Sequence, residues 1–239
     1  MDILEKQLGD ILADHGAQSL QINECGLPLK NISGSMSRSE RLETLAYNRN
    51  LFLGRLVSEN EISTDYLELP STRELLSRFR LAPENGRDAL LHILIGDSGG
   101  GLHHTQTLMS SDAPSRTCAS SFNHRDPQSS QFKHQADVNG VFIASRLRLP
   151  DGEGVKIFKK KSSIFPSEWS SQSVLEAIRQ TLAANCREKY QTTDQFGVTR
   201  EAINYRHFVD GVEMIVGTDI LSGEIITAYP LRRETSEEE

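Results

Sequence analysis

His92 and His103 stand on either side of a glycine run, Gly99-Gly100-Gly101. Two imidazoles can divide acid and base work in one reaction, because histidine is the side chain whose unperturbed pKa lies close to neutral. Gly96 and the run at 99–101 let backbone approach a ligand closely and offer N–H groups to an anion. Further on lie a basic run, Lys159-Lys160-Lys161, then Ser162-Ser163, and later Thr227-Ala228-Tyr229-Pro230. Two histidines and a lysine are the groups needed to break RNA with its own 2′-hydroxyl as nucleophile. One histidine takes the 2′-OH proton, the other protonates the departing 5′-oxygen, and the lysine balances charge on the pentacoordinate phosphorus. The nucleophile is already tethered, so no metal is required in principle, and DNA, lacking the hydroxyl, is not a cleavable substrate. Taken alone, the histidine–glycine stretch reads first as a tight turn flanked by surface histidines.

The elements that must position these groups follow from periodicity. Residues 1–80 read as mainly helical. Ile3, Leu4, Leu8, Ile11 and Leu12 recur at helical spacing, with Gly16 as a stop. Residues 23–38 read as a loop. A second helix fits 39–58 with Ser39 as its cap, and a third fits 71–80 with Ser71 and Glu74 as a capping box. Residues 83–86 form a boundary, after which the texture changes to short strand-like segments, among them the apolar run 90–95 that contains His92. Residues 105–137, rich in Ser, Asp, Gln and His, read as a long loop. Strands fit 138–149 and 155–164, then a turn at 166–169 and a helix over 170–186. Residues 198–209, 212–220 and 224–229 close the chain as strands, with Asp210-Gly211 as a hairpin signal.

Composition narrows the function classes. The 239 residues suffice for one large domain or two small ones. No run of about 18 apolar residues occurs, so no membrane span is expected. Cys25, Cys118 and Cys186 are odd in number and widely spaced, which points to a reducing compartment without a disulfide framework. The net charge is −7, so a polyanionic partner has to be met by a local basic patch, such as residues 156–161 or Arg146 and Arg148, and the contact should depend on salt. A zinc site built from His103, His104 and His124 or His134 lacks any supporting Cys or carboxylate spacing. His15 and His207 read as surface or packing residues.

In their order, His92-Ile93-Leu94-Ile95-Gly96-Asp97, Gly100-Gly101-Leu102-His103, Lys159-Lys160-Lys161-Ser162-Ser163 and Thr227-Ala228-Tyr229-Pro230 resemble the EndoU family of uridylate-selective endoribonucleases. The stretch Ser162-Ser163-Ile164-Phe165-Pro166, with Trp169, is similar to the bacterial branch. The resemblance covers roughly residues 85–232. It implies an α+β fold in which a helical N-terminal region, 1–84, precedes a catalytic domain, 85–233, of two antiparallel β-sheets flanked by helices. Residues 234–239 are an acidic tail.

By the same resemblance His92 is the general acid and His103 the general base, with His104 a neighbour. The lysine stays open. Family spacing to the uracil-reading serine selects Lys159 with Ser163, whereas the bacterial Lys-Ser pattern selects Lys161. Ser163 or Ser162 would read the uracil edge. Tyr229 would support the ribose or stack on the base, an interaction worth about 1–3 kcal/mol, and Thr227 shares its strand face.

The activity expected is cleavage of single-stranded RNA at uridines, leaving a 2′,3′-cyclic phosphate. No metal cofactor is required, and stimulation by manganese, as in some animal members, is left open. The alternatives are an RNA-binding module without catalysis and the toxin fragment of a larger secreted protein, which would have an immunity protein as partner. A small-molecule phosphodiesterase ranks last, because paired His-x-Thr/Ser motifs are missing. Residues 1–84 fit a dimerisation role, giving a homodimer, and the expected location is cytoplasmic unless the chain is a delivered toxin.

Overall fold

A computed structural model of the chain describes residues 29–30, 32–96, 101, 103–104, 136–151, 154–193 and 199–233; at 144–151, 154–161, 192–193 and 199–200 the description is of the backbone alone. The expected helix at 1–15, most of the polar loop, and the acidic tail lie outside the described residues, as do His15, Cys25, Cys118, His124 and His134.

Helix α1 spans Arg38–Ser58. Its cap is Ser37 rather than Ser39: Ser37 accepts from the Glu40 N–H, and Glu40 accepts in turn from the Ser37 N–H at 2.7 Å. Ser37 has a glutamate three residues on and Ser39 has a leucine, so only Ser37 can close the reciprocal pair. Two shorter helices follow, α2 (Thr64–Glu68) and α3 (Pro70–Ser77). The sequence pattern predicts one helix over 71–80 with a Ser71–Glu74 box. Instead Pro70 occupies the first turn, where its missing N–H costs nothing, and no side chain caps α3. The helix stops at Ser77 because the next residues are drawn onto a strand: Ile225 donates to the Arg78 carbonyl at 2.7 Å and accepts from the Arg80 N–H at 3.0 Å.

A two-residue hairpin, β1 (Leu81–Ala82) with β2 (Arg87–Asp88), turns through Gly86 at φ +67°. Asp88 then caps helix α4 (Ala89–Leu94) by accepting from the N–H groups of Leu90 and Leu91. The run read as strand-like is therefore helical. Arg49 of α1 anchors that cap with bonds of 2.7 and 2.9 Å to the Asp88 carboxylate, and it also donates to the carbonyls of Leu76 and Phe79.

Strands β3 (Phe142–Asp151) and β4 (Gly154–Ile164) pair antiparallel. β3 begins four residues later than the pattern suggested, because Asp137 accepts from the N–H groups of Asn139 and Val141 and folds the intervening residues into a turn. Helix α5 (Ser171–Ala183), capped by Ser170, is followed by β5 (Arg187–Thr193), β6 (Thr199–Val209), β7 (Val212–Asp219) and β8 (Ile225–Leu231). These four form one antiparallel sheet in the order β5-β6-β7-β8. Asp210 and Gly211 both have positive φ, as a two-residue hairpin turn demands. β8 runs past Tyr229 through Pro230, which an edge strand tolerates.

The architecture is α+β, with the four-stranded sheet, the β3–β4 pair and the small β1–β2 hairpin as its β parts. Strand pleat sorts the sheet. Met214, Val216, Ala228 and Ile225 are buried under α5 and α4, whereas Gly217, Thr227 and Tyr229 belong to the opposite face. One apolar core takes Leu51, Phe52 and Leu56 from α1, Leu90 and Ile93 from α4, Val174 and Ile178 from α5, and Val216 from the sheet. Fully burying each such side chain contributes roughly 1.5–3 kcal/mol. Among the described residues no helix is long and apolar enough to cross a membrane.

Candidate active site

α4 and β4 both lie against β8. α4 supplies His92, β4 supplies Ser162 and Ser163, and the opposite face of β8 supplies Tyr229 with Thr227 two residues before it; the contacts of His103 tie these elements together. His103 joins them through its backbone: its N–H donates to Ile93 of α4 at 2.9 Å and its carbonyl accepts from Phe165 at 2.7 Å. Both histidines are largely buried, with 9% and 5% of their surfaces exposed.

Gly101 makes the approach possible. It has φ +75°, and a Cβ built on it would lie 1.8 Å from the His92 carbonyl oxygen and 3.0 Å from the His92 Cγ. No side chain fits there. The glycine brings the chain carrying His103 directly onto the last turn of α4.

The ring of His103 is held at Nδ1, which lies 2.6 Å from the Ser163 carbonyl oxygen and 3.1 Å from the Ser162 hydroxyl. A carbonyl can only accept, so the hydrogen of the neutral ring resides on Nδ1 and the lone pair on Nε2. The Ser162 hydroxyl donates to the Gly101 carbonyl at 3.3 Å, which ties β4 to the residue that touches His92. One face of the ring stacks on Tyr229, with centroids 5.8 Å apart and planes inclined by 29°. Tyr229 is half-buried, and burial raises the pKa of its hydroxyl.

His104 turns the other way. It is 1% exposed, donates from Nε2 to the Trp169 carbonyl at 3.2 Å, and lies 3.9 Å from the Glu61 carboxylate. Burial lowers its pKa; Glu61 and the Trp169 carbonyl oppose that shift. Glu61 also accepts from the Ser171 N–H at 2.7 Å, at the start of α5. The turn after α1 is thus coupled to the histidine loop, a link for which no local sequence signal exists.

Of the residues singled out by the sequence, His92, His103, Ser162, Ser163, Thr227 and Tyr229 fall in this region. Ser162 is buried against His103 and Gly101, while Ser163 presents its carbonyl to the ring. Lys159 and Lys161 occupy alternate positions of β4, paired with Leu147 and Ser145, and their side chains lie outside the described residues. His207 pairs with Met214, well along β6. Among the described residues no three His, Cys, Asp or Glu side chains come together as a metal-ligand set.

Neither the curated proteins nor the solved structures give a significant match to this chain. A model of one protein family, described as the bacterial EndoU nuclease, does match, over residues 86–232. That span holds both histidines, the β3–β4 pair and the whole four-stranded sheet, and it is more than half of the chain, which therefore belongs to the bacterial EndoU nuclease family.

Proposed function

We propose that this nuclease cleaves single-stranded RNA on the 3′ side of uridines by attack of the adjacent 2′-hydroxyl. The observation that carries the reading is the contact of His103 Nδ1 with the Ser163 carbonyl, which in the neutral ring leaves the lone pair on Nε2. A general base needs that lone pair. In the proposed step Nε2 of His103 takes the 2′-OH proton and the 2′-oxygen bonds to phosphorus. The bond from phosphorus to the 5′-oxygen breaks as His92 gives that oxygen a proton. The products are a 2′,3′-cyclic phosphate and a 5′-hydroxyl end, with no net change in protons on the enzyme.

Lys159 or Lys161 supplies the charge that steadies the phosphorane in this scheme. Ser163, with Ser162 behind it, and Thr227 contact the nucleoside. Tyr229 supports it from below while holding the His103 ring. Nearby on the same sheet face the Arg233 guanidinium lies 4.9 Å from the ring centre of Phe208, an exposed aromatic–cation pair of the type that binds unpaired RNA. The scheme itself has no metal-dependent step.

The test is His92→Ala with a uridine-containing RNA. Removing a general acid should slow cleavage by about 10²–10⁴-fold. Binding, followed by fluorescence anisotropy, should stay within about threefold, because the imidazole acts on the leaving oxygen and holds little ground-state affinity. Wild-type binding without cleavage would move the assignment to an RNA-binding module.

A further inference from the structure

On the face of the sheet that carries Tyr229, Gly217 sits between Asn204 of β6 and Thr227 of β8, its two direct strand partners. The glycine leaves a hollow that a neighbour fills. Tyr190, on the edge strand β5, reaches across β6 and sets its hydroxyl oxygen 2.9 Å from the point where a Gly217 Cβ would be. Thr227 Cγ2 is 2.9 Å from the same point, and Asn204 Oδ1 is 3.4 Å from it. That Asn204 oxygen is fully buried and accepts no hydrogen bond. A buried acceptor left unmet is costly, so a donor should be meant for it. The Tyr190 hydroxyl converges on the same hollow without bonding to that oxygen, and Tyr190 is only partly buried.

We infer that Tyr190, backed by Asn204 and admitted by Gly217, is a further specificity-determining residue that reads the base of the nucleotide held against Tyr229. The inference rests on the RNA-cleaving reading above. When the Tyr190 hydroxyl donates to Asn204 Oδ1, its oxygen is left to accept. Uracil presents a ring N3–H to such an acceptor. Cytosine presents a bare N3 lone pair, which an oxygen lone pair repels. The relay from base N3–H to Tyr190 to Asn204 therefore favours uridine over cytidine, and Gly217 is the residue whose smallness lets it form. Burial and the nearby Tyr229 hydroxyl both raise the pKa of Tyr190, which keeps it a neutral hydroxyl at working pH.

Tyr190→Phe keeps the ring and removes the hydroxyl. Cleavage of RNA oligonucleotides with one uridine or one cytidine, and anisotropy binding of the matching 2′-deoxyuridine and 2′-deoxycytidine versions, would be measured for wild type, Tyr190→Phe and Gly217→Ala. The expected result is a uridine-to-cytidine preference reduced about 5–10-fold by Tyr190→Phe, in binding and in kcat/KM alike, the size of one polar contact to a base. Gly217→Ala should shift the preference the same way. An unchanged preference in Tyr190→Phe overturns the inference. If wild type binds but cuts nothing and Tyr190→Phe still loses the preference, the base contact stands and the nuclease mechanism falls. If wild type neither cuts nor distinguishes the two bases in binding, both fall.

Discussion

Gly101→Ala puts the geometry of the two histidines under direct strain. A methyl at this position meets the His92 carbonyl oxygen at 1.8 Å and its carbon at 2.7 Å, where real Cβ contacts stay above 3.0 Å. The backbone of α4 and Gly101 must separate by about 1 Å, and a displacement of that size between reacting groups can cost about 10²-fold in rate. The backbone is also at φ +75°, which costs an alanine roughly 1–2 kcal/mol. Overpacking adds about 1–3 kcal/mol. The sum is a loss of about 2–5 kcal/mol in stability, less than most domains hold in reserve, so a folded protein with displaced histidines is expected. Urea unfolding followed by circular dichroism would give the first number. Single-turnover cleavage at saturating RNA would give the second. A Gly101→Ala protein that cleaves within threefold of wild type would refute the idea that this contact sets the distance between His92 and His103.

Three further perturbations follow from the same contacts. Ser162→Ala removes the hydroxyl between His103 Nδ1 and the Gly101 carbonyl; kcat should fall about 3–10-fold with little change in KM, as the pH–rate profile and steady-state kinetics would show. His104 is buried and its pKa lies below the ordinary 6.5. The unfolded chain therefore binds its proton first on acidification. The stability this neutral imidazole contributes is complete above about pH 6.5 and is lost as pH falls from there towards its folded pKa. His104→Gln, which can still donate to the Trp169 carbonyl, should flatten the fall in urea midpoint as pH drops below about 6.5. Arg49→Met leaves the Asp88 carboxylate, 1% exposed, without its ion pair at the head of α4, and should cost about 3–5 kcal/mol in urea unfolding.

Much of the frame is legible in the chain. Asp210-Gly211 marks a hairpin because only residues tolerant of positive φ make that turn. The spacing of Thr227 and Tyr229 puts both on one strand face, and the α5 stripe of Val174, Leu175 and Ile178 marks its buried side. The ordered motifs identify the family. The helix carrying His92 was less readable. Six apolar residues fit a buried strand or a helix turn equally well by periodicity, and the choice is made by Asp88 as cap and Arg49 behind it. Ser162 looks like a substrate-facing serine in the sequence, yet its partners, Gly101 and His103, lie about 60 residues away. Long-range contacts of this kind leave no local pattern. The same holds for Glu61 with His104, and for Tyr190, Asn204 and Gly217 across three strands.

The most direct measurement is cleavage of an end-labelled RNA oligonucleotide with a single uridine, run in EDTA and again with manganese, beside a version carrying 2′-deoxyuridine. Attack by the 2′-hydroxyl with His103 as base and His92 as acid predicts cutting at the uridine in EDTA, a 2′,3′-cyclic phosphate on the product, and no cutting of the deoxy version. Cutting that requires manganese, or that proceeds at 2′-deoxyuridine, would contradict it.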